Sequence, residues 1–422
     1  MKISTLSIGD EVIFGEIVDT NAPHIAARLY DEGFKVRQHL CVGDSEPDII
    51  EAVDALAGHN DFVIATGGLG PTVDDLTARA VARATGRRLI LNDDALAHLK
   101  ERYRSMGREL LRASEKQALL PSKSTLIPNP LGTACGFIVP HKGSFLLFLP
   151  GVPVEMKRML EETVIPFIIS RSRQTSMVKT RLLRVFGLSE PQTEELLRGL
   201  SRPDEGLTIA YCVDFPEIEV KLRGQGEDEA VLQEALLLME QQVRERLGDH
   251  VVALGEESID TVVAALFREK GVTLSLAESC TGGLVAKRIT DMAGSSAYFL
   301  EGAVTYGNVA KIRQLQVPVE LLEKEGAVSA AVAMAMARGI RNASGSDIGL
   351  AVTGIAGPDG GSEDKPVGTV FLALAGRSDC TAKRYRFNGS RERIRAITAF
   401  TAMDWLRRHL LSQPDKDAGN GH

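Results

Sequence analysis

Ser279, Cys280 and Thr281 stand side by side in the run Ala277-Glu278-Ser279-Cys280-Thr281-Gly282-Gly283. A hydroxyl, a thiol and a second hydroxyl in one turn are candidate nucleophiles, and acyl transfer is the chemistry they suit. Such a nucleophile needs a proton acceptor. The eight histidines fall at 24, 39, 59, 98, 141, 250, 409 and 422, so none lies between 251 and 408. A Ser-His-Asp arrangement is therefore not expected. Tyr306 and Lys311, five residues apart, are the candidate partners, with the lysine as base once burial lowers its pKa. Each also has a plainer reading: Tyr306 as a half-buried core residue and Lys311 as a surface charge. Small polar residues ahead of a helix also serve as caps.

The flanking pattern places this turn. Val272, Leu274 and Leu276 alternate as in a strand, and Leu284, Val285, Ile289 and Met292 recur at helical spacing up to Gly294. Gly282 and Gly283 permit close approach of a ligand to the backbone, and free amides at the helix start favour an anion or a developing oxyanion. Further on, 302–308 with Lys311 reads as a strand running into a helix. The glycine-rich segment from Thr353 and Gly354 through Gly357, Gly360 and Gly361 follows a strand over 348–352. Arg391 opens the last helix, whose Trp405 is expected in the core. The basic run Arg391, Arg393 and Arg395 reads as a solvated helix face or a small anion site.

A second constellation lies near the front. The apolar run 61–65 is followed by Gly67-Gly68-Leu69-Gly70-Pro71-Thr72 and then by Asp74 and Asp75. Glycines and a proline at the carboxyl end of a strand mark a usual ligand position in α/β sheets. Glu11 and Asp44, each at a strand end, join Asp74 and Asp75 as a candidate divalent-metal or general-base set beside a phosphate cradle of Gly67, Gly68, Gly70 and Thr72. The plainer reading of the paired aspartates is favourable interaction with a helix dipole.

Strand-helix alternation in residues 1–170 and again in 257–412 predicts an α/β protein, two α/β domains with mainly parallel sheets. Residues 171–256 read β-α-β-β-α, a small α+β linking domain that serves as a spacer or dimer element. Residues 170–174 are the expected linker, and the tail from about Ser412 is expected to be disordered. The 422 residues suffice for two or three domains. A net charge of −7 gives the whole chain no electrostatic case for binding nucleic acid. No transmembrane run or signal-like segment is visible, so no membrane association and a cytoplasmic location are expected. The five scattered cysteines include no Cys-x-x-Cys pair, which argues against structural zinc. A homodimer is the expected assembly.

The motifs TGGLGPTVDDLT, GDEVIFGEIVDTN, NPLGTACG and LPGVPVEM resemble the amino-terminal domain of the CinA family, itself similar to molybdopterin-binding proteins. The resemblance implies divalent-metal-dependent ADP-ribose pyrophosphatase activity, with a monovalent cation as a further candidate ion, and matches Asp44 and Asp75 to the acidic pocket positions. Asp10 replaces a common Thr and receives no role; Cys135 stands where relatives carry Pro. AESCTGG, AGSSAYFLEGAVTYGNVAK, GAVS and TGIAGPDGGSEDKPVGTV resemble the carboxy-terminal CinA domain, similar to nicotinamide mononucleotide deamidase. This resemblance implies Ser279 as nucleophile, Tyr306 and Lys311 as its partners, and Ser296 (or its neighbour Ser295), Thr353 and Arg391 as pocket residues, with no cofactor.

Together these readings predict a bifunctional hydrolase. Ser279, activated by Lys311 with help from Tyr306, attacks the carboxamide of nicotinamide mononucleotide, and amides of Cys280, Thr281 and Gly282 to Gly283 hold the oxyanion. Gly357 to Gly361 and Arg391 hold the ribose and phosphate. Cys280 is the rival nucleophile. Two alternatives remain: a nucleotide- or pterin-binding sensor or interaction protein, and a chain in which only the carboxy-terminal activity survives.

Overall fold

The computed structural model describes residues 1–172 and 176–413. Residues 173 and 174 of the expected linker, and the expected disordered tail beyond 413, lie outside the described residues. The chain parts into two compact units, one of Met1–Thr180 with Gly224–Glu234, the other of Arg181–Arg223 with everything from Ala235 onward.

The first unit is built on a six-stranded sheet. Its order is Val36–Val42, Ile3–Ile8, Phe62–Thr66, Ser144–Leu149, Gly136–His141, Thr125–Ile127. The first four strands run parallel and the last two join antiparallel. Ile3–Ile8 and Phe62–Thr66 are buried along their whole length, as strands covered on both faces must be. One face packs on Ile49, Val53 and Val81, the other on Ile25, Leu29 and Met156. The parallel strands end at Ile8, Val42, Thr66 and Leu149, which brings the loops starting at Gly9, Gly43, Gly67 and Gly151 to one edge.

Two further sheets have most of their residues in the second unit. The four-stranded one has the order Leu207–Asp214, Glu217–Gly226, Met177–Val185, Val251–Leu254, backed by the helix Glu229–Leu247. Its last strand, absent from the sequence reading, pairs antiparallel with Met177–Val185. The five-stranded sheet has the order Phe299–Val304, Leu274–Glu278, Ile348–Gly354, Thr369–Ala375, Cys380–Arg386. Its first three strands are parallel and the last two antiparallel. The α/β class holds for both large sheets, each a parallel set extended by antiparallel edge strands.

Two helical layers sandwich this sheet. Ile259–Lys270 and Arg391–Ser412 bury Val263, Phe267, Phe400 and Leu406 against Leu274, Leu276 and Leu372. Trp405 belongs to this cluster, as expected. On the other face Ala330–Ser344 buries Val332, Met336 and Ile340 against Ala277, Ala351 and Ala373. Small residues on both sides draw that helix close. Gly339 is the tightest point: a Cβ there would stand 2.1 Å from the Leu315 carbonyl oxygen, at the end of the helix Asn308–Leu315. That second helix carries Lys311, so the close approach fixes the lysine's depth.

In an exposed helix, Gly to Ala stabilises by about 1 kcal/mol. Here the sign reverses. Gly339→Ala is expected to destabilise by about 1–3 kcal/mol through overpacking, read as a lower midpoint in denaturant unfolding.

Candidate active site

The parallel strands Leu274–Glu278, Phe299–Val304 and Ile348–Gly354 end together. Glu278 pairs with Val304 on one side and Val352 on the other. Ser279, Thr305 and Thr353 are therefore the next layer across three adjacent strands, at the carboxyl edge where such sheets hold ligands. Two backbone bonds lock the layer: the Ser279 amide donates to Val352 O (3.0 Å) and the Thr305 amide to Glu278 O (2.8 Å).

Lys311 enters this layer from beneath. Its side chain is 1% exposed. Nζ contacts the Thr305 carbonyl at 2.8 Å, the Tyr306 carbonyl at 3.3 Å and Ser279 Oγ at 3.2 Å. Among the described residues no carboxylate is in ion-pair range of it, and burial lowers its pKa from the ordinary lysine value. An ammonium here donates to all three oxygens, whereas a neutral amine donates to the two carbonyls and keeps its lone pair for the serine hydroxyl proton. In its neutral form the amine is within the reach a general base needs toward a hydroxyl.

Cys280 is a poor rival. Burial and the nearby Glu278 charge push its thiol up to about 12, so the thiolate is not populated near neutrality. Its Sγ packs against Gly354, where a Cβ would come within 3.0 Å of the sulfur. The Gly354 hydrogen thus makes room for a wall of the turn rather than for a ligand.

Glu278 was quoted in the sequence motif without a role, and the structure gives it one. Its buried carboxylate accepts from the amides of Gly283 (2.9 Å), Val285 (3.2 Å) and Ala286 (2.7 Å). The helix Leu284–Thr290 therefore has its anion already, supplied by the chain. This corrects the expectation that amides through Gly282 and Gly283 serve an oxyanion: Gly282 donates to Ser279 O and Gly283 to Glu278. The Thr281 amide has no acceptor among the described residues, and the Cys280 amide faces only its own thiol. Those two are the donors left for a developing oxyanion. A strand-terminal Glu a few residues ahead of a helix start is the sequence signal for such a cap.

Tyr306 joins the site differently from the expectation. Its backbone carbonyl meets Lys311, while its phenol is 59% exposed and accepts from Arg391 Nη2 at 2.7 Å. The phenol is thus committed to Arg391 and makes no hydrogen bond to Ser279 or Lys311 among the described residues. Arg391 Nη1 donates to Gly357 O at 2.7 Å, tying the Gly357–Gly361 loop to Tyr306. Gly357 and Gly360 of that loop have φ of +78° and +90°. Arg395, one helical turn after Arg391, donates to Thr281 O through Nε (3.2 Å) and Nη2 (2.8 Å). Arg393 turns instead to Phe215, 4.1 Å from its ring centroid. The arginine run is therefore a pair facing the site plus one facing away, as a helical spacing of four dictates. Thr353 is buried beside Ser279, and its hydroxyl donates to Ala327 O at 2.8 Å.

Ser296 is the residue the structure does not bring in. It precedes strand Phe299–Val304, whose Phe299 pairs with Leu274, and the Leu274 amide bonds Tyr298 O. It therefore sits at the amino end of the sheet. Ser279 lies about five residues up the strand, roughly 16 Å away at about 3.3 Å per residue.

In the first unit the predicted metal set does not form. Among the described residues no three His, Cys, Asp or Glu side chains stand close enough to share an ion. Asp75 accepts from the Thr72 amide (2.8 Å) and hydroxyl (2.6 Å), and Asp74 is exposed. Asp44 instead pairs with Asp10, each carboxylate accepting the other's amide at 3.0 Å. Burial and the charges of Asp10, Glu11 and Asp74 raise the Asp44 pKa, against the lowering effect of the Asp10 amide. Asp10, passed over in the sequence, is therefore Asp44's partner. Among the described residues these carboxylates by themselves make no three-ligand cage. The turn glycines serve packing: Cβ atoms at Gly67, Gly68 and Gly70 would meet Ile8 O, Thr77 Oγ1 and Asp75 Oδ2 at 2.0, 2.1 and 2.5 Å.

An α/β fold with a buried serine-lysine pair at a strand-to-helix turn now stands beside a resemblance already noted. Residues 256–410 match the CinA C-terminal domain, 4–170 a probable molybdopterin binding domain, and 180–253 the damage-inducible protein CinA KH domain. The chain is 61% identical to a CinA-like protein of Geotalea uraniireducens across 98% of both chains. It is also 61% identical to one of Geobacter sulfurreducens, over 98% of this chain and all of that one. A solved competence/damage inducible protein of Agrobacterium tumefaciens is 41% identical over 38% of this chain and 99% of its own, with a TM-score of 0.36. The chain belongs to the CinA family. No helix among the described residues is long and apolar enough to cross a membrane.

The thiol environments give a direct check. Cys212 is exposed and Cys280 buried. Iodoacetamide at neutral pH is expected to label Cys212 first and to leave Cys280 unmodified in the folded protein, as read by peptide mass mapping.

Proposed function

We propose that the second unit hydrolyses the carboxamide of nicotinamide mononucleotide to nicotinate mononucleotide and ammonia. The observation that carries this reading is the Lys311 Nζ to Ser279 Oγ contact, 3.2 Å, in a pocket with no histidine. Neutral Lys311 takes the Ser279 proton as Oγ attacks the carboxamide carbon. The oxyanion forms against the Cys280 and Thr281 amides, each such donor worth roughly 3–4 kcal/mol in other enzymes. Lys311, now an ammonium, returns the proton to the departing nitrogen, and ammonia leaves an ester on Ser279. Water, deprotonated by the same amine, then attacks the ester carbonyl and frees the carboxylate. Arg391, Tyr306 and the Gly357–Gly361 loop stand at the pocket's rim and suit the ribose and 5′-phosphate.

Ammonia release from nicotinamide mononucleotide tests this. Ser279→Ala and Lys311→Met are each expected to lower kcat by at least about 10³-fold. Lys311→Arg is expected to fail as well, because a guanidinium cannot act as base. Cys280→Ala is expected to stay active; a dead Cys280→Ala beside an active Ser279→Ala would move the nucleophile to the thiol. Since the amine must be unprotonated and its pKa is lowered, kcat/KM is expected to rise with pH and level off below the ordinary lysine value of 10.5. A rate that falls as pH rises through neutrality would count against an amine base.

For the first unit we infer ADP-ribose as the ligand of the carboxyl-edge loops, with hydrolysis to AMP and ribose 5-phosphate as its activity. The match to the molybdopterin-binding model and the Asp10, Glu11 and Asp44 group beside the Gly67–Gly70 turn support it. AMP release from ADP-ribose is expected only with added divalent cation, and Asp44→Asn is expected to reduce it at least tenfold. Saturable binding without release would favour the sensor reading.

A further inference from the structure

One cavity of the second unit has no part in the amidase reading. It measures about 500 Å³, within the range of roughly 300–1,000 Å³ typical of small-molecule sites. Strand Cys380–Arg386 and Phe387 form one wall, the helix Arg391–Ser412 another, and Phe186 to Leu188 with Pro216 the third. We propose that this cleft binds a nucleoside monophosphate.

The wall chemistry selects the ligand. Phe186, Tyr385, Phe387 and Trp405 line the cavity, and the Tyr385 and Phe387 rings lie parallel at 5.7 Å and 11°. Flat aromatic walls favour a flat ring against them. The charges select its sign. Arg407 and Arg408 are answered by Asp404 at 2.8 Å each, and Arg408 also by Asp249 at 3.4 Å. Lys383 is different. Its Nζ lies 5.0 Å from the Trp405 ring centroid, and among the described residues no carboxylate is in ion-pair range of it. The cleft therefore presents apolar faces with one uncompensated cation above the indole. A cationic or purely aliphatic ligand meets either repulsion or unmatched faces. A planar base carrying a phosphate matches both the rings and the cation.

The cleft also has a mechanical connection. Phe387 is held by Gly368, its amide donating to Gly368 O at 3.0 Å, and Gly368 in turn bonds Ile355 O at 2.7 Å. Four residues after Phe387 comes Arg391, which bonds Gly357 O and Tyr306. Strand wall and helix wall thus meet at the arginine on the amidase rim. Occupancy of the cleft should change the KM for nicotinamide mononucleotide, a consequence that rests on the amidase reading, whereas the binding itself does not.

Trp405 is the only tryptophan in the chain, so its emission reports this cleft alone. Titration of the full-length protein with AMP, adenosine and inorganic phosphate separates the terms. AMP is expected to give a saturable change in Trp405 emission, adenosine to need at least tenfold higher concentration, and phosphate to give none. Lys383→Glu reverses an exposed charge outside the amidase machinery; it should keep basal activity and weaken AMP at least tenfold. No saturable change with AMP, or an AMP response equal in Lys383→Glu, overturns the site. A saturable response that leaves KM unmoved overturns the link to Arg391.

Discussion

The burial of the Lys311 amine, with no carboxylate in ion-pair range among the described residues, is the constraint around which the carboxyl edge of the five-stranded sheet is arranged. Burial disfavours the charged form of such a group and lowers its pKa. Lys311 meets two carbonyl oxygens and one hydroxyl. Everything that holds the lysine at that depth therefore also sets its contact with Ser279. The helix Ala330–Ser344 has to come close enough for Gly339 to touch the Leu315 carbonyl, and small residues on the facing strands make that approach feasible.

The turn bearing Ser279 is governed by the opposite sign of charge. Glu278 takes the helix amides that a bound anion would otherwise use, which fixes the turn before any substrate arrives. Preorganisation of this kind leaves few free donors in the turn, those of Cys280 and Thr281. Arg395 clamps the Thr281 carbonyl from the last helix. The Ser279 turn is thus held from the strand, from its own helix and from the carboxy-terminal helix at once.

The sequence carried different parts of this to different depths. The alternation of strands and helices around 274–294 and 348–375 was legible because burial on both faces demands continuous apolar runs. The absence of histidine from 251 to 408 was legible by counting, and it pointed to an amine before any geometry was known. The short strand Val251–Leu254 was not legible, because four residues carry too little period to stand out and its pairing with Met177–Val185 is long-range. Asp74 and Asp75 looked like one site because they are adjacent in sequence. In three dimensions Asp75 turns to Thr72, and the partner of Asp44 is Asp10, 34 positions away.

Residue type and order alone determined that a turn of two hydroxyls and a thiol sits at the end of a parallel strand and that no histidine lies in the chain from 251 to 408. Those conclusions follow from local pattern and from inventory, which need no coordinates. Tertiary structure decided which groups share the layer: the Tyr306 carbonyl rather than its phenol, Arg395 beside Arg391, Glu278 on the helix amides, and Ser296 at the far end of the sheet. Strand register and helix depth set these distances. Both are outcomes of packing over the whole core, which no short stretch of the chain encodes by itself.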